Sequence, residues 1–212
     1  MSIEYILQGP VALVIMLLTI GLSIWALFDE NMKDRHVLIP YDMLMYKEYW
    51  RLISSAFIHG NYMHLAFNML TFYFFAFMLE SRLGHWQFAA LYMGGLLISQ
   101  IATTLIYRKD TAFEGSVGAS GAISAMVLAA ALADPYLRFG LPVISQQWPM
   151  LHLPGYIIGI VFLIYSLVNA LRKQETTVNH HAHLWGAIAG VLMVFMLQPD
   201  LPKILERYIA TL

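Results

Sequence analysis

The sequence predicts an all-α membrane protein: a bundle of six transmembrane helices with a long, partly embedded first loop. Three observations lead there. The chain is 59% hydrophobic and only 12% charged, against about 25% charged for a typical soluble domain. Six apolar stretches each come close to the ~20 residues a helix needs to cross the hydrocarbon core, and every Asp, Glu, Lys and Arg falls outside them. None of the six alternates apolar with polar residues as a barrel strand must, so helices are left as the structure that satisfies its own backbone in lipid.

The first stretch covers 9–28. Residues 1–8 hold no Lys or Arg, and the apolar run is too long for the core of a signal peptide, so it is expected to remain as a helix. From Asp29 to Asn61 the connection is long yet rich in Tyr41, Met43, Leu44, Tyr46, Tyr49, Trp50, Leu52, Ile53 and Phe57. Tyr and Trp favour the membrane interface, so this loop is expected to fold and to lie in or against the headgroup layer. The second, third and fourth spans are placed at 62–79, 85–106 and 117–133. Pro135, Pro142 and Pro149 break the connection from Asp134 to Leu153, which is expected to be irregular. The fifth and sixth spans follow at 154–171 and 181–198, and a short tail helix is expected from Ile204 to Thr211. Residues 1–212 read as one domain.

Composition also excludes. Net charge is -1 and the basic residues are scattered, so no stripe exists to neutralise a nucleic-acid backbone. Cysteine is absent, which removes disulfides, thiolate metal sites and a cysteine nucleophile. No span contains Asp, which excludes an intramembrane aspartyl protease.

Polar residues inside a membrane cost free energy and are functional hypotheses by default. Spans two, four and six enter from the same face. His64 and Asn68 sit in the first two turns of span two, Ser120 in the first turn of span four and His183 in the first turn of span six. At ~1.5 Å per residue all four share nearly one depth. Gly121 with Ala125, and Gly186 with Gly190, form small-residue strips through which helices four and six could approach closely. Ser120 would then come within reach of His183, and an imidazole can take the proton that makes a serine hydroxyl nucleophilic. Other readings of the same residues stand beside this one: His183 bonding a carbonyl, Asn68 serving as helix glue, or a zinc site drawn from His59, His64, His180, His181 and His183. No H-E-x-x-H pattern and no acidic ligand in a span support the last.

The ordered set Trp50-Arg51, His64-Leu65-Ala66-Phe67-Asn68, Glu80-Ser81-Arg82-Leu83-Gly84, Gly118-Ala119-Ser120-Gly121 and Ala182-His183 with Gly186 and Gly190 resembles the rhomboid intramembrane serine proteases over nearly the whole chain. The resemblance implies a rhomboid-like six-helix bundle and a Ser120–His183 dyad with no carboxylate, no metal and no cofactor. His64, Asn68 and the Ser120 backbone N–H would stabilise the oxyanion. Gly118, Gly121 and Ser124 would support the site; Trp50, Arg51, Glu80, Arg82, Gly186 and Gly190 would be structural, with Glu80 and Arg82 bonding the loop on the opposite side. Substrates would be membrane proteins with a transmembrane helix, entering sideways past helix five and the loop from Arg172 to His181. Two positions depart from the family pattern: His180 stands where an Asn is frequent, and Ser124 where many members carry an aromatic under the imidazole. His183 would then depend on packing from helix two, by Phe67 or Phe72, or on a water or the Ser124 hydroxyl to set its tautomer.

Orientation divides the signals. The side on which spans two, four and six begin carries eight Lys and Arg (Lys33, Arg35, Lys47, Arg51, Arg108, Lys109, Arg172, Lys173) and the other side four (Arg82, Arg138, Lys203, Arg207). The positive-inside rule would make the first side cytoplasmic. Family members place the active-site face outside the cytoplasm, in a plasma or inner membrane, and four of the eight charges lie in the folded first loop, so the family orientation is preferred. Two other function classes remain: a catalytically silent rhomboid-like binder of membrane proteins, which would be expected to lack the Ser or the His, and a small transporter, which would favour charges or broken helices inside the spans. The sequence leaves the oligomeric state open.

Overall fold

A computed structural model describes residues 8–139, 153–171 and 179–211. Six apolar helices form the bundle: α1 (Pro10–Phe28), α5 (Tyr62–Leu83), α6 (His85–Tyr107), α7 (Ser120–Ala133), α8 (Gly155–Leu171) and α9 (His180–Leu197). Four of them, α1, α5, α6 and α9, reach 18 residues or more. α5 runs four residues past its expected end at 79, and the other two helices are shorter, α8 with 17 residues. α7 has only 14 residues, starting at Ser120 rather than 117, and so is about 21 Å long.

The short helix is the centre of the molecule. Twelve of its 14 residues are buried, among them Ala122, Ala125, Ala129 and Ala130, because small side chains let α5, α6, α8 and α9 close around it. The chain from Arg108 to Ala119 leads into it outside any helix.

The first loop folds as expected, into α2 (Glu30–His36), α3 (Pro40–Tyr46), α4 (Arg51–Ser54) and a 3₁₀ turn, Ser55–Phe57. Asp29 caps α2 by accepting from Met32 N at 3.2 Å. Pro40 opens α3, and Lys47, in the left-handed region at φ 59°, ends it. Leu44, Met45, Tyr46, Tyr49, Trp50 and Ile53 all point outward, an unburied apolar face suited to the headgroup layer. Arg51 pins the loop: its guanidinium donates to Asp34 O and Val37 O, each at 2.7 Å, and pairs with Glu48. Trp50 contributes its carbonyl, accepting from Ile53 N and Ser54 N, while its indole is half exposed.

On the opposite side Glu80 is fully buried. It accepts from Val11 N at 3.1 Å and Ala12 N at 2.7 Å, and its carboxylate meets His85 Nδ1 at 2.6 Å. This corrects the expectation that Glu80 bonds a loop: it closes the open N–H groups at the start of α1, which any helix must satisfy. Arg82 does reach the expected connection, donating to Asp134 Oδ2 at 2.9 Å. Within that connection the described residues form a two-residue ribbon, β1 (Arg138–Phe139) antiparallel to β2 (Leu153–Pro154). The tail helix, α10 (Leu201–Ile209), begins three residues earlier than expected, since Pro202 suits a first turn.

Candidate functional site

Ser120 is the first residue of α7 and is half-buried. Ala119 offers no side-chain cap, and the first intrahelical bond is donated by Ile123 N to Ala119 O. The N–H groups of Ser120, Gly121 and Ala122 are therefore without intrahelical partners, an electropositive end beside the serine hydroxyl.

Two residues on the approach to the serine, Ser116 and Gly118, are held by the first loop. Leu38 and Ser116 exchange backbone hydrogen bonds at 3.0 and 2.9 Å, and Gly118 N donates to Ser55 O at 2.9 Å. Gly118 has φ +107°, and a Cβ there would stand 2.8 Å from His64 Cε1 and 2.9 Å from its Nε2. Only glycine suits both demands. His64 is thus seated against the turn that delivers Ser120.

α9 supplies His183. Asn179 caps it, accepting from Ala182 N at 3.0 Å, while its Nδ2 donates to Thr103 Oγ1 at 3.0 Å and Ser116 Oγ at 3.1 Å. That side chain ties the start of the histidine helix to α6 and to the approach to the serine. Close packing does the rest. A Cβ on Gly186 would collide with Gly121 O, C and Cα, and one on Gly190 with the backbone of Ala125. A Cβ on Gly121 would meet Ser99 and lie 3.4 Å from Ala182 O. Backbones of α7 and α9 therefore touch at residues adjoining Ser120 and His183, as the small-residue strips predict.

Among the described residues no hydrogen bond joins the Ser120 hydroxyl to His183, whose Nδ1 is buried without a partner. In enzymes such contacts often tighten only when substrate binds. Asn68 Nδ2 donates to His64 O at 2.9 Å, leaving the second N–H of the amide for other use. His64 N is occupied by the cap from Asn61 Oδ1 at 2.8 Å.

The imidazole of His183 is supported by a ring that sequence reasoning missed. Phe162 of α8 lies nearly parallel to it, centroids 6.2 Å apart and planes at 29°. His180 meets it edge-on at 5.9 Å and Tyr165 meets His180 at 5.7 Å. Neither expected phenylalanine serves: Phe67 is 62% exposed, and Phe72 packs on Tyr92. Ser124 is buried, its hydroxyl donating to Ser120 O at 2.6 Å. A serine one turn below the nucleophile leaves an unfilled place under the imidazole. That was the available signal, but periodicity cannot say which distant helix fills it. The Asn179 cap was legible as an Asn before a helix start.

The remaining histidines separate. His59 is fully buried, bonded through Nδ1 to Ser23 Oγ at 2.8 Å and edge-on to His64 at 4.9 Å, whereas His181 packs on Tyr107. Among the described residues no three His, Asp or Glu converge as metal ligands. Of the expected gate, residues 172–178 lie outside the described residues.

A helical membrane bundle, with serine and histidine at the abutting ends of two inner helices and a histidine lodged against the serine's turn, defines a narrow class. Residues 46–200 match the rhomboid domain family. The chain belongs to the rhomboid family. It is 32% identical over 153 residues to a protein named as a candidate rhomboid protease, YdcA of Bacillus subtilis (strain 168), a match covering 70% of this chain and 67% of that one. It is 28% identical to rhomboid protease GlpG of Yersinia pestis (strain Pestoides F), covering 88% of this chain and 62% of the relative. With the mitochondrial RHOMBOID-like protein 12 of Arabidopsis thaliana identity is 25%, over 79% of this chain and 52% of the relative. The chain thus spans between half and two thirds of these relatives.

Proposed function

We propose that this protein is an intramembrane serine endopeptidase that cleaves transmembrane or juxtamembrane segments of other membrane proteins through a Ser120–His183 dyad. The observation that carries the reading is the backbone contact of α7 and α9 at Gly121 and Gly186, which brings the starts of the serine and histidine helices together at one depth.

His183 takes the Ser120 proton as the hydroxyl oxygen attacks the scissile carbonyl carbon, and the carbonyl becomes an oxyanion. Ser120 N–H, His64 and the free N–H of Asn68 are the donors that meet that charge. As the C–N bond breaks, His183 returns the proton to the leaving amine. Water, reaching the site through the polar layer, then releases the acyl group with His183 again as base. No metal and no cofactor enter this scheme. Gly118 and Gly121 let the surrounding helices close. Phe162, in the absence of a carboxylate, keeps the imidazole in plane.

The whole chain, 1–212, acts as one domain in the bilayer, and its partners are substrates with a transmembrane helix, not nucleic acid. The active-site face lies outside the cytoplasm, in a plasma or inner membrane. The protease reading, though not this orientation, draws support from the relatives named as rhomboid proteases.

The test is cleavage of single-span substrates by purified protein in liposomes, alongside Ser120→Ala and His183→Ala. Both variants are expected to fold, insert and lose cleavage. Residual cleavage by Ser120→Ala in a preparation free of other proteases overturns the reading, and a wild-type protein that binds such substrates without cutting them is a silent binder.

A further inference from the structure

One residue is bonded both to the base of the dyad and to the chain that delivers the serine. Asn179, just before α9, holds His183 by the backbone: its carbonyl oxygen accepts from His183 N at 3.3 Å. Its side-chain amide is used at both ends. Oδ1 accepts from Ala182 N, and Nδ2 donates to Thr103 Oγ1 and Ser116 Oγ, one acceptor for each of its two N–H bonds.

Both acceptors are themselves held in place. Thr103 is fully buried, and its own hydroxyl donates to Ser99 O at 2.9 Å, at the residue of α6 that lies against Gly121. Ser116 is buried and exchanges backbone hydrogen bonds with Leu38, four residues ahead of Ser120. His180, where the family frequently has an Asn, makes no such tie: its Nδ1 is buried without a partner. Capping alone does not call for an amide. Serine and asparagine serve almost equally as N-caps, because one side-chain oxygen accepting from the first turn is enough. The two N–H donors of Asn179 are surplus to the cap, and both reach the frame that holds the serine.

We propose that Asn179 is a positioning residue for the cleavage reaction. Its amide fixes the start of α9 to the frame of Ser120, and so sets where the His183 imidazole stands relative to the serine hydroxyl. This role rests on the Ser120–His183 reading and adds to it a residue that touches neither substrate nor the reacting atoms. A misplacement of about 1 Å can lower a rate about 10²-fold. Without the amide α9 still packs on α7 through the glycine contacts, so the expected loss is smaller, about tenfold in kcat.

Initial rates of the purified full chain in liposomes, on one single-span substrate and with thermal unfolding measured in parallel, test it. Asn179→Ser keeps an oxygen for Ala182 N but is too short to reach Thr103 and Ser116. It is expected to lower kcat about tenfold at unchanged KM, with an unfolding temperature close to wild type. Thr103→Val and Ser116→Ala leave the cap in place and should each lower kcat about threefold, within the range of one hydrogen bond. Neither should lower it further in Asn179→Ser, as expected of groups in one hydrogen-bond network. If Asn179→Ser does not fold, these two combined keep the test decisive and should themselves lose about tenfold. Ser81→Ala, which deletes an exposed hydroxyl on the opposite side, should change nothing. Unchanged kcat in Asn179→Ser or in the combined variant, additive losses, or an equal loss in Ser81→Ala overturns the positioning role, while cleavage that still vanishes in Ser120→Ala keeps the dyad. A wild-type chain that cleaves nothing overturns the dyad reading and this role with it.

Discussion

Replacing Gly186 by alanine is the smallest change that should separate the two halves of the dyad. The added Cβ would stand 2.8 Å from Gly121 C and 3.1 Å from Gly121 Cα, and closer still to its carbonyl oxygen. Carbon atoms in contact prefer ~3.5–4.0 Å, and the obstructing atoms are backbone, so no side chain can swing aside. α7 and α9 must part by about 1 Å, the order of displacement that costs about 10²-fold in rate when reacting groups are involved. The overpacking itself should destabilise by about 1–3 kcal/mol, which leaves most of a stable bundle folded. Gly190→Ala meets Ala125 Cα at 2.6 Å and C at 2.7 Å, so it should act in the same direction from one turn deeper. Gly21→Ala, with nothing within 4 Å of its Cβ, is the neutral control. Initial rates on one single-span substrate in liposomes, with kcat and KM separated and thermal unfolding measured in parallel, decide it. An unchanged kcat in folded Gly186→Ala would refute the idea that backbone contact of these helices sets the Ser120–His183 geometry.

Three further outcomes are expected. Phe162→Ala should lower kcat by up to about tenfold, the worth of an aromatic stacking contact, with partial recovery in Phe162→Tyr; Ser124→Ala, losing only a bond to Ser120 O, should stay under about tenfold, so a larger loss than in Phe162→Ala would give the hydroxyl the supporting role instead. Glu80→Ala strands two N–H groups of α1 and should lower the unfolding temperature, with a stability loss of about 1–3 kcal/mol for each unsatisfied group and kcat per folded molecule retained; Glu80→Gln, which keeps an acceptor, should lose less, and equal stability of all three proteins would mean the cap contributes nothing. A single cysteine at the exposed Asn61 should react with an impermeant maleimide on intact cells while one at the exposed Asp200 does not, and the reverse pattern would favour the Lys/Arg count over the family orientation.

The sequence by itself determined the elements whose signal is local. Uncharged runs with charges only at their ends can satisfy their backbone in lipid as helices alone, so the six apolar helices and their order were legible. The expectation that His64, Asn68, Ser120 and His183 share nearly one depth came the same way, from counting residues along helices that enter from one face. The glycines at 118, 121, 186 and 190 announced close approach without saying to what. What only the tertiary structure decided concerns pairs of residues far apart in the chain. The true start of α7 at Ser120 depends on Ser116 and Gly118 being hydrogen-bonded to Leu38 and Ser55, contacts that no window of sequence contains. Phe162 beside His183, Glu80 beneath α1 and Asn179 between Thr103 and Ser116 arise likewise from the packing of separate helices. Periodicity fixes which face a helix presents, but which neighbour's side chain meets that face depends on interhelical distance, and the backbone contacts at Gly186 and Gly190 are what set it.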